Sequence, residues 1–269
     1  MSHEYTSLEP EPFERGVQPE AAMQPREKAD FYKGLYPIFK FGLDMKFDRE
    51  VSGTENIPDQ PAIYAPNHIR LADSPLVAAS YTEATGLPMR FVAKQEYFDG
   101  KGINDNGKFG KTMQWLMEHS YMIPVEREGK NPRAFQQLQT TVGARIEHGD
   151  AVALHPEGTR SDDGKLHKFK SGASRIAIAL SVPIVPVGLV YTEYSNRRKT
   201  HVAIEFGQPI MPEEYKTLPY SLFPARQKAE HFIQVAEDRV ADITGMPQSG
   251  IFAQLRKNRR QQSQKRDDQ

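Results

Sequence analysis

From Val51 onward, short apolar runs alternate with stretches of helical period. Ala62–Ala65, Met89–Ala93, Tyr121–Val125, Ala151–Leu154, Ile184–Tyr191 and His201–Phe206 have the length and composition of buried strands. Two intervening segments carry clear helix signals. In the first, Asn131 and Pro132 supply a cap and a first-turn proline, Phe135, Leu138, Val142 and Ile146 form a buried face, and Gly149 ends the run. In the second, Phe232, Val235, Ala236, Val240 and Ile243 repeat helically until Gly245. This alternation predicts a βαβ-type α/β architecture, and 269 residues suffice for one large domain.

The flanking segments differ from this core. Residues 1–26 carry Pro, Glu and Gln with no apolar period and read as a mobile arm. In the segment from Asp30 to Phe47, Phe31, Leu35, Ile38, Phe39 and Leu43 fall near a helical spacing, with Lys33, Lys40 and Lys46 among them. Pro37 predicts a kink or a restart of that helix. The segment either covers one edge of the core or lies on a membrane surface. The tail from Arg256 to Arg266 holds six basic residues and reads as a solvated, disordered end, with a lipid-headgroup contact as the alternative. The chain thus divides into an arm at 1–26, an amphipathic helical segment at 27–47, the α/β domain at 48–248 and a basic polar tail at 249–269.

Composition narrows the chemistry. Lys+Arg and Asp+Glu both total 35, so the zero net charge advertises no nucleic-acid partner. With no cysteine, disulfides, thiolate nucleophiles and zinc–sulfur sites are excluded. The eight histidines form no recognised metal-ligand spacing, so no metal is expected. No stretch reaches the roughly 18 apolar residues of a membrane span. The acidic, proline-bearing N-terminus does not resemble a secretory signal, and a cytoplasmic protein is expected.

Two constellations carry chemistry. Asn67-His68-Ile69-Arg70-Leu71-Ala72-Asp73 follows the strand ending at Ala65. On a continuous helix, a spacing of five would set His68 and Asp73 about 140° apart. Ser74-Pro75, however, reads as a helix cap and first-turn proline, which leaves His68 in the preceding turn and lets Asp73 fold back toward its imidazole. A carboxylate-oriented general base needs that arrangement. The second constellation, Pro156-Glu157-Gly158-Thr159-Arg160-Ser161, follows the strand at 151–154, where α/β folds place binding groups. Arg160 offers a planar fork for a phosphate, Gly158 permits close backbone approach, and Thr159 can donate a hydrogen bond. Glu157 is expected to orient Arg160 or to bind a ligand hydroxyl. Lys94 and Arg127 follow two other strands, so the three cations are expected to form a convergent phosphate site.

Taken in order, these segments resemble the glycerolipid acyltransferase family, typified by the 1-acyl-glycerol-3-phosphate (lysophosphatidic acid) acyltransferases. The likeness covers about residues 49–210. It runs from Val51-Ser52-Gly53-Thr54-Glu55-Asn56-Ile57-Pro58 through the Asn-His-x-x-x-x-Asp block to Phe91-Val92-Ala93-Lys94-Gln95-Glu96 with Ile123-Pro124-Val125-Glu126-Arg127. It then continues through His155-Pro156-Glu157-Gly158-Thr159-Arg160-Ser161 to Val182-Pro183-Ile184-Val185-Pro186-Val187. Arg70 stands where members often carry a small polar residue, and His155 where Phe is common. A turn-rich stretch from Asp99 to Gly107 is expected as a mobile loop near the site.

The resemblance implies a mixed, largely parallel sheet flanked by helices. It implies acyl-CoA or acyl-carrier protein as co-substrate rather than any cofactor, and a lysophospholipid or glycerol phosphate as acceptor. By position, His68 and Asp73 would be the catalytic pair. Lys94, Arg127, Glu157, Gly158, Thr159 and Arg160 would form the acceptor phosphate site. The enzyme would act in phospholipid biosynthesis, peripherally on the inner face of the membrane. Three alternatives stand beside this reading: a transacylase using a phospholipid donor, a hydrolase with Ser74 as nucleophile beside His68, and a non-catalytic lipid-binding protein.

Overall fold

The computed structural model describes residues 27–99, 110–120, 122–126, 133–193, 198–216 and 224–249. The arm at 1–26, the basic tail and most of the turn-rich stretch after Asp99 therefore lie outside the described residues.

The described strands are β1 (Phe47–Ser52), β2 (Ile63–Pro66), β3 (Met89–Lys94), β4 (Ile123–Val125), β5 (Ala151–Ala153), β6 (Ile184–Thr192) and β7 (Thr200–Phe206). They form one sheet in the order β1-β7-β6-β2-β5-β3-β4. Strands β2 to β6 run parallel to one another, β7 is antiparallel to β6, and β1 pairs parallel to β7. The sheet is mixed and largely parallel, as the resemblance implied. The expected strands are present with ends moved by a residue or two. β1 is an addition, because its sequence FDREVS reads as polar. As an edge strand it needs only one covered face, and Phe47 supplies the fully buried position.

Helices cover both faces: α1 (Glu27–Lys46), α2 (Asp73–Thr85), α3 (Gly110–His119), α4 (Ala134–Glu147), α5 (Gly172–Leu180), the single turn α6 (Glu213–Lys216) and α7 (Ala225–Thr244). The two-residue period of the strands sorts side chains into two cores. Ile63, Ala65, Val152 and Ile184 meet Val142 and Ile146 of α4, Ile176 of α5 and Phe232, Ala236 and Val240 of α7. On the opposite face, Tyr64, Phe91, Ala153, Val185 and Val187 meet Leu76 and Val77 of α2 and Leu43 of α1. α7 ends where Gly245 takes a left-handed φ of 65°.

α1 corrects one expectation. The helix runs through Pro37 without restarting. Its apolar residues also split between two faces rather than forming one. Leu43 is buried, and the Tyr36 hydroxyl donates to the Ala79 carbonyl at 3.1 Å. Ile38, Phe41 and Met45 are instead 70%, 67% and 62% exposed. Phe39 is also exposed, while the side chains of Phe31 and Leu35 lie outside the described set. Among the described residues, no helix is long and apolar enough to cross a membrane.

Candidate active site

Strands β2, β3, β5 and β6 are parallel, so their C-terminal ends open onto one edge of the sheet. Ligand-binding groups collect at that edge in open α/β sheets. β2 lies between β5 and β6 and delivers Asn67 and His68 there. Asn67 is fully buried and extends the ladder with its side chain: Nδ2 donates to the Leu189 carbonyl at 3.1 Å, and Oδ1 accepts from the Leu189 amide at 2.8 Å. The residue before His68 is thereby fixed to β6, and the chain then turns into α2.

That turn is organised by Asp73. Its fully buried carboxylate sits in the first turn of α2, where the helix dipole favours negative charge. Oδ2 accepts from the Ile69 amide at 2.6 Å, the Arg70 amide at 2.7 Å and His68 Nδ1 at 2.9 Å. Because a carboxylate only accepts, His68 carries its proton on Nδ1, and Nε2 presents a lone pair. Oδ1 accepts from the Tyr191 hydroxyl at 2.6 Å. Burial, and then the charge of Asp73, push the Tyr191 phenol well above its ordinary range, so it remains a donor. The Arg70 guanidinium lies 4.4 Å over the Tyr191 ring and pairs with Glu193 at 2.7 Å, which holds this cation on the β6 side.

The second constellation is joined to the first through Glu157. This carboxylate is buried, with Oε1 accepting from the His68 amide at 2.6 Å and Oε2 from the His167 amide at 2.9 Å. Burial raises its pKa to about 7 against the two amide bonds that favour the charged form. Among the described residues, Glu157 thus bonds to two backbone segments and not to Arg160, contrary to the expected orienting pair. The Ser161 amide donates to the His68 carbonyl at 2.7 Å and closes the same junction. Gly158 has φ 71°, and a Cβ there would come within 3.0 Å of Lys170 Nζ. A cation therefore packs on this turn that sequence reasoning did not single out.

Thr159 and Arg160 are exposed on the same turn. Lys94 ends β3 at the same sheet edge, with Nζ 6.0 Å from the Tyr97 ring centroid. Register sets Lys94 beside Val125 of β4. Arg127, two residues further on, lies outside the described residues.

Ser74 is not the helix cap that Ser74-Pro75 suggested. α2 begins at Asp73, whose carboxylate already satisfies the turn amides, and Ser74 Oγ lies 2.9 Å from His155 Nε2. His155 Nδ1 faces the carbonyls of Pro66 and Asn67 at 3.2 and 3.1 Å, so Nδ1 carries the proton and Nε2 accepts from the serine. Burial, followed by the adjacent His68, holds the pKa of His155 down at about 3. The Ser74 hydroxyl is thus engaged by His155 and not by the His68 base that the hydrolase arrangement calls for, which disfavours that arrangement.

One cluster of metal-ligand types occurs among the described residues. Asp162, Asp163 and His167 bring ligand atoms within 4.8 Å of one another. Two of the three are engaged by their own chain, since Asp163 Oδ1 accepts from the Lys165 amide and lies 3.1 Å from His167 Nε2.

A family model described as Acyltransferase matches residues 48–190, which take in the His68–Asp73 turn and the Glu157–Arg160 turn. The chain belongs to the acyltransferase family. A chloroplastic 1-acyl-sn-glycerol-3-phosphate acyltransferase of Brassica napus is 30% identical over 161 residues, covering 59% of this chain and 39% of that protein. A probable 1-acyl-sn-glycerol-3-phosphate acyltransferase of Mycoplasma pneumoniae is 29% identical over 162 residues, 59% of this chain and 56% of that one. The matches thus span less than two thirds of these relatives. Among solved structures, the 1-acyl-sn-glycerophosphate (LPA) acyltransferase PlsC from Thermotoga maritima superposes with a TM-score of 0.55 at 25% identity, covering 82% of this chain and 83% of that chain.

Proposed function

We propose that the protein transfers a fatty acyl group from a thioester, acyl-CoA or acyl-carrier protein, to the hydroxyl of 1-acyl-glycerol-3-phosphate in phospholipid biosynthesis. The observation that carries this reading is His68, with Nδ1 bound to a buried, four-donor Asp73 and Nε2 left as acceptor, beside a turn bearing Arg160. The names of the relatives support the choice of acceptor.

In this mechanism the acceptor hydroxyl gives its proton to His68 Nε2 as its oxygen attacks the thioester carbonyl carbon. The C–O bond forms, the C–S bond breaks, and the leaving thiolate takes the proton from the imidazolium. Asp73 holds the tautomer and stabilises the imidazolium. Help of this kind is worth on the order of 10²–10⁴-fold in rate. No metal or cofactor enters the scheme. Lys94, Arg127 and Arg160, with Gly158 and Thr159, hold the acceptor phosphate and align its hydroxyl. Glu157 serves that site indirectly by locking the turn to the His68 backbone. The protein works peripherally on the membrane face where its acceptor lies.

The test compares 1-acyl-glycerol-3-phosphate with monoacylglycerol, which lacks the phosphate. The wild type should prefer the phosphorylated acceptor by roughly 10²-fold in kcat/KM, and Arg160→Ala should remove most of that preference through KM. Equal use of both acceptors by the wild type would refute the phosphate site.

A further inference from the structure

We propose that His155 is a positioning residue that fixes the plane of the His68 imidazole, and with it the direction of the Nε2 lone pair. The inference rests on the reading of His68 as general base.

The rings of His68 and His155 lie face to face, with centroids 3.9 Å apart and planes inclined by 9°. Asp73 grips His68 at Nδ1 alone, and one hydrogen bond leaves the ring free to rock about that contact. A flat surface against its face removes this freedom. His155 can act as that surface because it is itself immobile. Nδ1–H is held by the Pro66 and Asn67 carbonyls, Nε2 by the Ser74 hydroxyl, and the Phe91 ring lies against it at 5.4 Å between centroids. The anchors come from the end of β2, the start of α2 and β3, so the plate is tied to the elements that carry His68 and Asp73.

Charge completes the argument. A second imidazolium stacked at this distance would oppose protonation of His68. His155 avoids this because both its nitrogens are committed as a neutral tautomer, and its pKa of about 3 keeps it neutral throughout the range in which a general base operates. The groups acting on the stacked pair are Asp73 and, through backbone amides, Glu157; neither offers His155 a carboxylate partner.

The experiment separates ring shape from volume. With palmitoyl-CoA and lysophosphatidic acid as substrates, His155→Leu fills the space without a flat face and should lower kcat roughly 10- to 100-fold, with acceptor KM changed less than about twofold. His155→Phe restores a flat ring but none of the polar anchors, so kcat should recover part of the way, to about three- to tenfold below wild type. Ser74→Ala keeps the flat ring and removes one of its polar anchors, so kcat should fall by about two- to threefold at unchanged KM. Thermal unfolding of each variant establishes that it is folded. The inference is overturned by wild-type kcat in folded His155→Leu, or by a Phe variant as slow as the Leu variant; if the Leu variant fails to fold, wild-type kcat in Ser74→Ala overturns it instead. His68→Ala run alongside keeps the two readings apart: retained turnover there removes the base itself, whereas its loss with indifferent His155 variants removes only the positioning role.

Discussion

Asp73 has four donors, and the one from outside its own turn is Tyr191, 118 residues away. Tyr191→Phe deletes the hydroxyl and keeps the ring beneath Arg70, so it isolates a single bond to a buried carboxylate. A charge-assisted bond of this kind is worth about 1.5–3 kcal/mol. Steady-state kinetics should give a kcat about tenfold lower with acceptor KM little changed, because the loss acts through the orientation of Asp73. A rise in KM alone would instead assign the hydroxyl to acceptor binding. Glu157 gives a pH signature. Its folded pKa is raised from 4.5 to about 7, so the folded state binds more protons than the unfolded chain between those values. Its contribution is therefore fullest below pH 4.5 and is lost as pH rises to about 7. Relative to Glu157→Gln, the wild type should lose up to about 3 kcal/mol across that window in urea unfolding, and parallel curves would contradict it. At this scale the sequence exposed what is close in the chain. His68 and Asp73 are five residues apart around a turn, and the pattern announced them. Tyr191 resembles any aromatic in a buried strand, and only the adjacency of β2 and β6 brings it to Asp73. Ser74 was misread because a cap signal takes no account of a carboxylate one residue earlier that already binds the turn.

Among elements, α1 joins burial to exposure. Lys40, Asp44, Arg49 and Glu83 form an ion-pair network across α1, β1 and α2, with Arg49 at 2.7 Å from Asp44 and 2.9 Å from Glu83. This network seats one side of the helix while Ile38, Phe41 and Met45 face outward along the other. Such a stripe suits shallow insertion into a lipid interface. Co-sedimentation with anionic phospholipid vesicles should fall at least about tenfold when all three are changed to Ser, with little change in thermal unfolding because none is buried. Undiminished binding would contradict a lipid-inserting role for this stripe. The helical period of this segment was legible, but its facing was not: both faces carry aromatic residues, and the pattern cannot say which meets β1. β1 escaped notice for a related reason. Asp48, Arg49 and Glu50 mask an edge strand whose hydrogen bonds come from β7, a segment some 150 residues later.

Across the whole molecule, periodicity predicted strands and helices in chain order but not the order of strands in the sheet. That order brings β2, β5 and β6 side by side, so turns about 90 residues apart meet at His68. It also lets Asn67, Tyr191 and His155 support one imidazole from three strands' ends. Strand order is set by which apolar faces α2 on one side and α4, α5 and α7 on the other can cover together, a property of the assembled core. The family resemblance supplied what local patterns could not, and the mixed sheet agrees with it. The central claim is that this convergence makes His68 the base for acyl transfer. It is tested most directly by measuring free thiol released from palmitoyl-CoA, with and without lysophosphatidic acid, for the wild type and His68→Ala. The account predicts acceptor-dependent release by the wild type and a loss of at least about 10²-fold in the variant, which should still bind lysolipid. Near-normal release by folded His68→Ala, or release by the wild type that ignores the acceptor, would contradict it.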